Sequence, residues 1–277
     1  MTGTAAGLPA QARSSCASAP HGKQTGIGVR VEQTVQLGAL IGLAAAVFVG
    51  ASTQRISGMG FALVASPFLV IVLGPFEGIM LVNFLGACSS LLIFAQVFRQ
   101  VEYKKIALLL VPAVIMTFPG AWVAKLLGGP WLSIGISIMV ILALGASFLV
   151  RNLPAGQSKG LAIGAGAISG FMSVTAGVSG PAIAGYAVAS RWPQAKFAIS
   201  VQLYFLVLAV SSLLAKGGMP QLDWVQWIAC LAAMVLGIVL GNFLAPKIPA
   251  KVSRAFVVLV ALAGAVGLLV NGITALA

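Results

Sequence analysis

The chain has 277 residues, 60% of them apolar and only 7% charged, where a soluble domain carries roughly a quarter charged residues. That balance excludes an ordinary soluble domain and reads as an integral membrane protein. The net charge of +12 does not argue for nucleic acid, because the basic residues sit in short loops between apolar runs, where they set topology.

In chain order, residues 1–33 come first. They are polar, rich in Gly, Ser and Ala, and hold the single histidine, His21. They lack the basic start and apolar core of a signal peptide and read as a disordered tail. Ten apolar segments follow, at 34–54, 58–73, 78–98, 106–127, 131–150, 160–174, 178–190, 197–216, 224–245 and 254–274. They are apolar throughout, without the period-two alternation of a β-barrel. The expected fold is therefore an all-α, polytopic helical membrane protein. A crossing takes about twenty residues, and segments two, six and seven are shorter. Segments 1–2 and 6–7 are thus candidate re-entrant hairpins, leaving eight to ten spans.

Eleven Lys and Arg residues fall in the odd-numbered connections, among them Arg55, Arg99, Lys105, Arg191 and Lys196; the even-numbered ones and nearby span ends hold only Lys125 and Lys216. The positive-inside tendency puts the odd connections in the cytoplasm and both termini outside. The chain is expected in the cytoplasmic membrane as a multi-pass protein.

The two halves echo each other. FVGASTQRISGMGFALVASP, from Phe48, is answered by ISGFMSVTAGVSGPAIAGYA, from Ile168; PGAWVAKLLGGP, from Pro119, is answered by LGNFLAPKIPAK, from Leu240. Shared order and an offset near 120 residues point to duplication. Five segments per half is an odd number, so the second half enters from the opposite side. The reading is two inverted repeats, 34–153 and 154–277, a plan that places transporter sites at the repeat interface.

Catalytic chemistry has little to draw on. The acids are Glu32, Glu77, Glu102 and Asp223, and the histidine lies in the tail. No Ser-His, Cys-His or paired-carboxylate arrangement is available in the membrane region, and the chain is expected not to be an enzyme. Cys16, Cys88 and Cys230 are far apart and suggest neither a disulfide framework nor a metal site. No cofactor is expected.

The glycine-rich breaks are the distinctive feature. Ser57-Gly58-Met59-Gly60 divides segments one and two, and SVTAGVSGP spans Ser173 to Pro181. A helix that starts just after such a break aims its partially positive N-terminus at the gap, and Pro181 suits its first turn. Two such ends facing each other would hold an anion. The candidate substrate-binding residues are Arg55, Ser57, Gly58, Gly60, Asn83, Ser173, Thr175, Gly177, Ser179, Gly180 and Gln202. Each also has a plainer reading: glycines for close helix packing, Arg55 as a cytoplasmic anchor, Asn83 and Gln202 as bonds to a neighbouring helix. The five tryptophans, at span ends, read as interfacial anchors.

The stretch SGMGFALVASPFLVIVLGP, followed later by GVSGPAIAGYAVASRWPQAKFAISVQLYFLVLAVSSLL, resembles the sulfite exporter TauE/SafE family over about 38–274. The family's more usual glycine triplet is replaced by Gly58-Met59-Gly60. The resemblance implies a permease for sulfur-containing anions such as sulfite, thiosulfate or organosulfonates, with the glycine breaks as its pathway. The partners expected are a small anionic substrate and the bilayer. Rival readings are an uptake permease for another solute or a metal cation, and a membrane subunit that transports nothing.

Overall fold

The computed structural model describes residues 26–57, 60–127, 129–149 and 158–276. The chain divides into two units, residues 1–38 and residues 39–277. The described part of the first is the opening of helix α1, which begins at Gly26, inside the stretch expected to be a tail. The rest of that stretch, with Cys16 and His21, lies outside the described residues.

Among the described residues, ten α-helices stand where ten apolar segments were expected. They are α1 (Gly26–Ser57), α2 (Gly60–Leu73), α3 (Pro75–Val97), α4 (Tyr103–Leu126), α5 (Gly129–Leu149), α6 (Lys159–Ala176), α7 (Gly180–Ala189), α8 (Gln194–Lys216), α9 (Trp224–Leu244) and α10 (Ala250–Thr274), with a 3-10 turn at Phe98–Gln100. Among the described residues there is no strand. A helix satisfies its own backbone hydrogen bonds, which a lipid interior demands.

Among the described residues, six helical stretches are long and apolar enough to cross a membrane: Gln36–Ile56, Pro75–Gln100, Tyr103–Leu126, Gln194–Lys216, Trp224–Leu244 and Ala255–Thr274. Helix α2 has 14 residues and α7 has 10. At 1.5 Å per residue they rise about 21 and 15 Å, short of the roughly 30 Å of a hydrocarbon core.

Three apolar cores hold the second unit together. One joins α1, α2, α3 and α9 through Leu43, Val47, Leu69, Leu81, Leu85 and Met234. Another joins α4, α6, α7 and α8 through Leu109, Ile183, Tyr186, Tyr204 and Leu208. The last gathers α5 and α10 about the ends of α2 and α6, through Ile136, Val140, Ala261, Leu268, Val70 and Ala176. Large apolar side chains also face outward, including Val111, Leu142, Leu214, Phe243 and Leu259. On a soluble protein such a surface would need a partner; here it is the surface a bilayer covers.

Several helix pairs pack backbone to backbone, α4–α6 and α1–α9 among them. A Cβ at Gly170 of α6 would fall on the Ala113 carbonyl oxygen of α4, and one at Gly166 on that of Leu109. In the α1–α9 pair, a Cβ at Gly237 would lie 2.6 Å from Phe48 O and one at Gly241 3.0 Å from Ser52 O. Ser52 Oγ donates to Gly237 O at 3.1 Å across that crossing. Small residues that let helix backbones meet are the usual currency of membrane packing.

At one end of α8, Glu102 pairs with Lys105 at 2.9 Å and Lys196 at 3.6 Å. Its backbone N–H donates to Ser200 Oγ at 3.0 Å. The Lys105 hydrogen bond holds the Glu102 carboxyl below the usual range. The two loops are thereby tied together. Trp192 is buried nearby, in T-shaped contact with Phe197, and Trp227 packs edge-on against Phe84. Those two tryptophans are packed against protein rather than set out as anchors, whereas Trp122, Trp131 and Trp224 are exposed.

Gly170→Ala is expected to lower the thermal unfolding midpoint in detergent by several degrees, since an added atom against fixed backbone costs about 1–3 kcal/mol. Gly135→Ala, where nothing lies within 4 Å, serves as the comparison and is expected to be neutral or mildly stabilising. Equal midpoints for the two variants would contradict the backbone contact.

Candidate functional site

The end of α1, the start of α2 and the break between α6 and α7 meet at one cavity. It has a volume of about 50 Å³, room for roughly three to five waters at 10–15 Å³ each. Its walls are Gln54 of α1, Phe61 and Ala62 of α2, Val82, Asn83, Gly86 and Ser90 of α3, Ser173 of α6, Gly177, Ser179 and Gly180 of the second break, and Phe205 and Ala209 of α8. No lining side chain carries a formal charge.

The local chain explains the second break. Helix α6 ends at Ala176 and Gly177 follows with φ 71° and ψ 3°, a left-handed conformation that glycine accepts without strain. A Cβ there would lie 3.2 Å from Val82 Cγ1 and 3.4 Å from Ser66 Oγ. Helix α7 then starts at Gly180 with Pro181 in its first turn, a place where the missing N–H costs nothing.

The electrostatics follow from what is bonded and what is not. A helix C-terminus presents carbonyl oxygens that would repel an anion. At the end of α6 several of these are engaged: Ser173 O accepts from Gly177 N–H at 3.0 Å and from Asn83 Nδ2 at 3.3 Å, and Met172 O accepts from Val178 N–H at 3.3 Å. Ala176 O accepts from Ser66 Oγ at 2.6 Å. The opposing N-terminus of α7 is treated differently. Ser179 makes no side-chain cap, and its carbonyl is held by Ser169 Oγ at 2.8 Å. The negative helix end is thus partly quenched, while the positive one has no side-chain cap. Helix α2 likewise brings its first residues to the same walls.

Side chains complete the polar lining. Asn83 lies on α3 and does both things its type allows. Its Nδ2 bonds Ile79 O at 2.9 Å within the helix and Ser173 O across to α6, while Oδ1 accepts from Ser173 Oγ at 3.4 Å. Ser212 Oγ donates in turn to Ser173 Oγ at 3.3 Å. Gln54 Oε1 and Ser90 Oγ are buried without a hydrogen-bond partner. Buried polar atoms at a cavity wall are the ones a ligand or water satisfies. An amide end can be exchanged by a flip, so Gln54 and Ser90 can both donate.

Of the residues expected at the site, Asn83, Ser173, Gly177, Ser179 and Gly180 come together, and Gly60 opens the helix whose next two residues line the wall. Three others stand apart. Arg55 is half-buried and its Nε donates to Asn242 Oδ1 of α9. Thr175 Oγ1 bonds Phe171 O at 2.6 Å and neighbours Met139 Sδ. Gln202 Nε2 bonds Ala198 O of its own helix at 3.2 Å. The Ser57 side chain and Gly58 lie outside the described residues. Gln54 and Ser90 were not anticipated, although Ser90 follows Asn83 and Gly86 at helical spacing on one face of α3. Among the described residues, no group of acids, cysteines or histidines could hold a metal.

Because Ser90 Oγ has no partner, Ser90→Ala is expected to leave the unfolding midpoint unchanged within about 0.5 kcal/mol. A loss well beyond that, measured by thermal denaturation in detergent, would mean that the hydroxyl supports the fold and is not held in reserve for a ligand.

A family model described as Sulfite exporter TauE/SafE matches residues 42–268. Neither a curated protein nor a solved structure matches the chain. The match takes in every residue that lines the cavity, and its members are transporters rather than enzymes. The chain belongs to the TauE/SafE sulfite exporter family.

Proposed function

We propose that the chain carries a small oxyanion of sulfur, sulfite or a related oxyanion or organosulfonate, outward across the cytoplasmic membrane. The observation that carries this reading is the uncapped N-terminus of α7 beside the partly quenched C-terminus of α6, both at one cavity. An anion entering there exchanges its hydration for backbone N–H groups and hydroxyls, as at other helix N-termini. A cation would meet carbonyls already taken by Ser66, Asn83 and Gly177.

Two inverted repeats, 34–153 and 154–277, account for the way the cavity is assembled. Helices α2 and α7 open at Gly60 and Gly180, 120 residues apart. The cores of α1, α2, α3 and α9 and of α6, α7, α8 and α4 match when each helix is shifted by five places. The cavity draws walls from both halves, as expected of a site at a repeat interface.

The membrane potential supplies a driving force. At 100 mV, inside negative, one exported negative charge gains about 2.3 kcal/mol, roughly a fifty-fold gradient without a coupling ion. Among the described residues no carboxylate sits deeper in a span than Glu77, the third residue of α3. The chain therefore needs no proton relay of its own.

The test is the flux of radiolabelled sulfite from proteoliposomes under an imposed potential. Flux should follow the potential and fall at least about tenfold in Gly177→Leu, where a side chain meets both left-handed strain of about 1–3 kcal/mol and the cavity wall. Flux insensitive to potential, or undiminished in the variant, would overturn the reading.

A further inference from the structure

The described cations are exposed or half-buried with one exception, Lys216, which is 4% exposed. It is the last residue of α8. Its ammonium sits 4.8 Å from the centre of the Phe76 ring and has no hydrogen-bond partner. The carboxylate nearby, Glu77, takes the Gln221 backbone N–H at 2.8 Å, and no ion pair joins it to Lys216. An anchoring lysine at a membrane edge extends its head toward water. Lys216 does the opposite: protein atoms cover it, and lipid does not account for the burial. A buried ammonium with a ring face and the field of a carboxylate, but no hydrogen-bond acceptor, is incompletely compensated.

The position of Lys216 connects it to the cavity. Ser212 lies one turn back on α8, the spacing that places two side chains side by side. Ser212 Oγ reaches Ser173 Oγ at 3.3 Å, and Ser173 reaches Asn83 at 3.4 Å. Ser173 and Asn83 line the cavity. Hydrogen-bonded polar groups thus run from the cavity to Ser212, between α3 and α8, and Lys216 lies one helical turn further on, at the end of the bundle away from Glu102, Lys105 and Lys196.

We propose that Lys216, with Ser212, forms a second anion station on the transport pathway and supplies the charge that selects anions. This rests on the anion-transport reading. An oxyanion leaving the cavity passes from the Asn83–Ser173 pair to the Ser212 hydroxyl and the Lys216 ammonium, and the missing hydrogen-bond partner of that ammonium is the oxyanion. Arg55, the cation the sequence puts forward, is instead engaged by Asn242.

The experiment compares wild type, Lys216→Gln, Lys216→Arg, Ser212→Ala and, as an exposed-lysine control, Lys125→Gln. Two readouts are taken: half-saturation of sulfite flux in proteoliposomes, and the shift of unfolding midpoint that sulfite produces in detergent. Lys216→Gln should raise half-saturation about tenfold or more, the usual loss for a charge-assisted hydrogen bond, and should diminish the midpoint shift. Lys216→Arg should keep most of both, and Lys125→Gln all of both. If Lys216→Gln does not fold, Ser212→Ala carries the test, with half-saturation raised in the same direction. Wild-type flux with Lys216→Gln or Ser212→Ala unchanged would overturn the second station and leave the transport reading standing. Absence of flux and of a midpoint shift in wild type would overturn both.

Discussion

An unwound backbone inside a bilayer must find partners for its N–H and C=O groups, and the architecture around residues 176–180 follows from that demand. The chain meets it unevenly. Hydroxyls and an amide from α2, α3 and α6 are spent on the carbonyls: Ser66 on Ala176, Asn83 on Ser173, Ser169 on Ser179. The N–H groups at the start of α7 receive no such side chain. Placing donors on the acceptors and leaving the donors open gives an uncharged cavity a positive character.

That arrangement requires helices from across the chain to approach closely. Ser66 can reach Ala176 because α2 packs into the same core as the end of α6. The backbone-to-backbone crossings at Gly166 and Gly170, and at Gly237 and Gly241, bring α6 against α4 and α9 against α1. Glycines at these places serve two separate duties. Gly170 permits contact between helices, whereas Gly177 turns the chain into a conformation that ends a helix.

Much of this was legible in the sequence. Hydropathy alone located ten helices, because a lipid-facing helix has to be apolar along its length. The breaks were legible because glycine and proline act locally: Gly60 and Gly180 open α2 and α7 as their surroundings implied. What local sequence does not carry is the rotation of each helix about its axis. Thr175 was grouped with Ser173 as a neighbour, but residues two apart do not share a helix face, and only Ser173 lines the cavity. The same holds for Arg55 beside Gln54, where the uncharged member lines the wall. Trp192 and Lys216 were hidden for a related reason. Each sits at a helix end, where anchoring is the usual role, and only tertiary packing shows that each is covered.

Where the anion sits decides whether the cavity is a binding site. Selenite has the shape and charge of sulfite and a heavier central atom, so the anomalous signal from crystals grown with it locates the ion directly. The account predicts a peak in the cavity bounded by Asn83, Ser173, Ser179 and Gly180. A peak beside Arg55 with none in that cavity would contradict it, and the open N-terminus of α7 would then be a structural feature without a ligand.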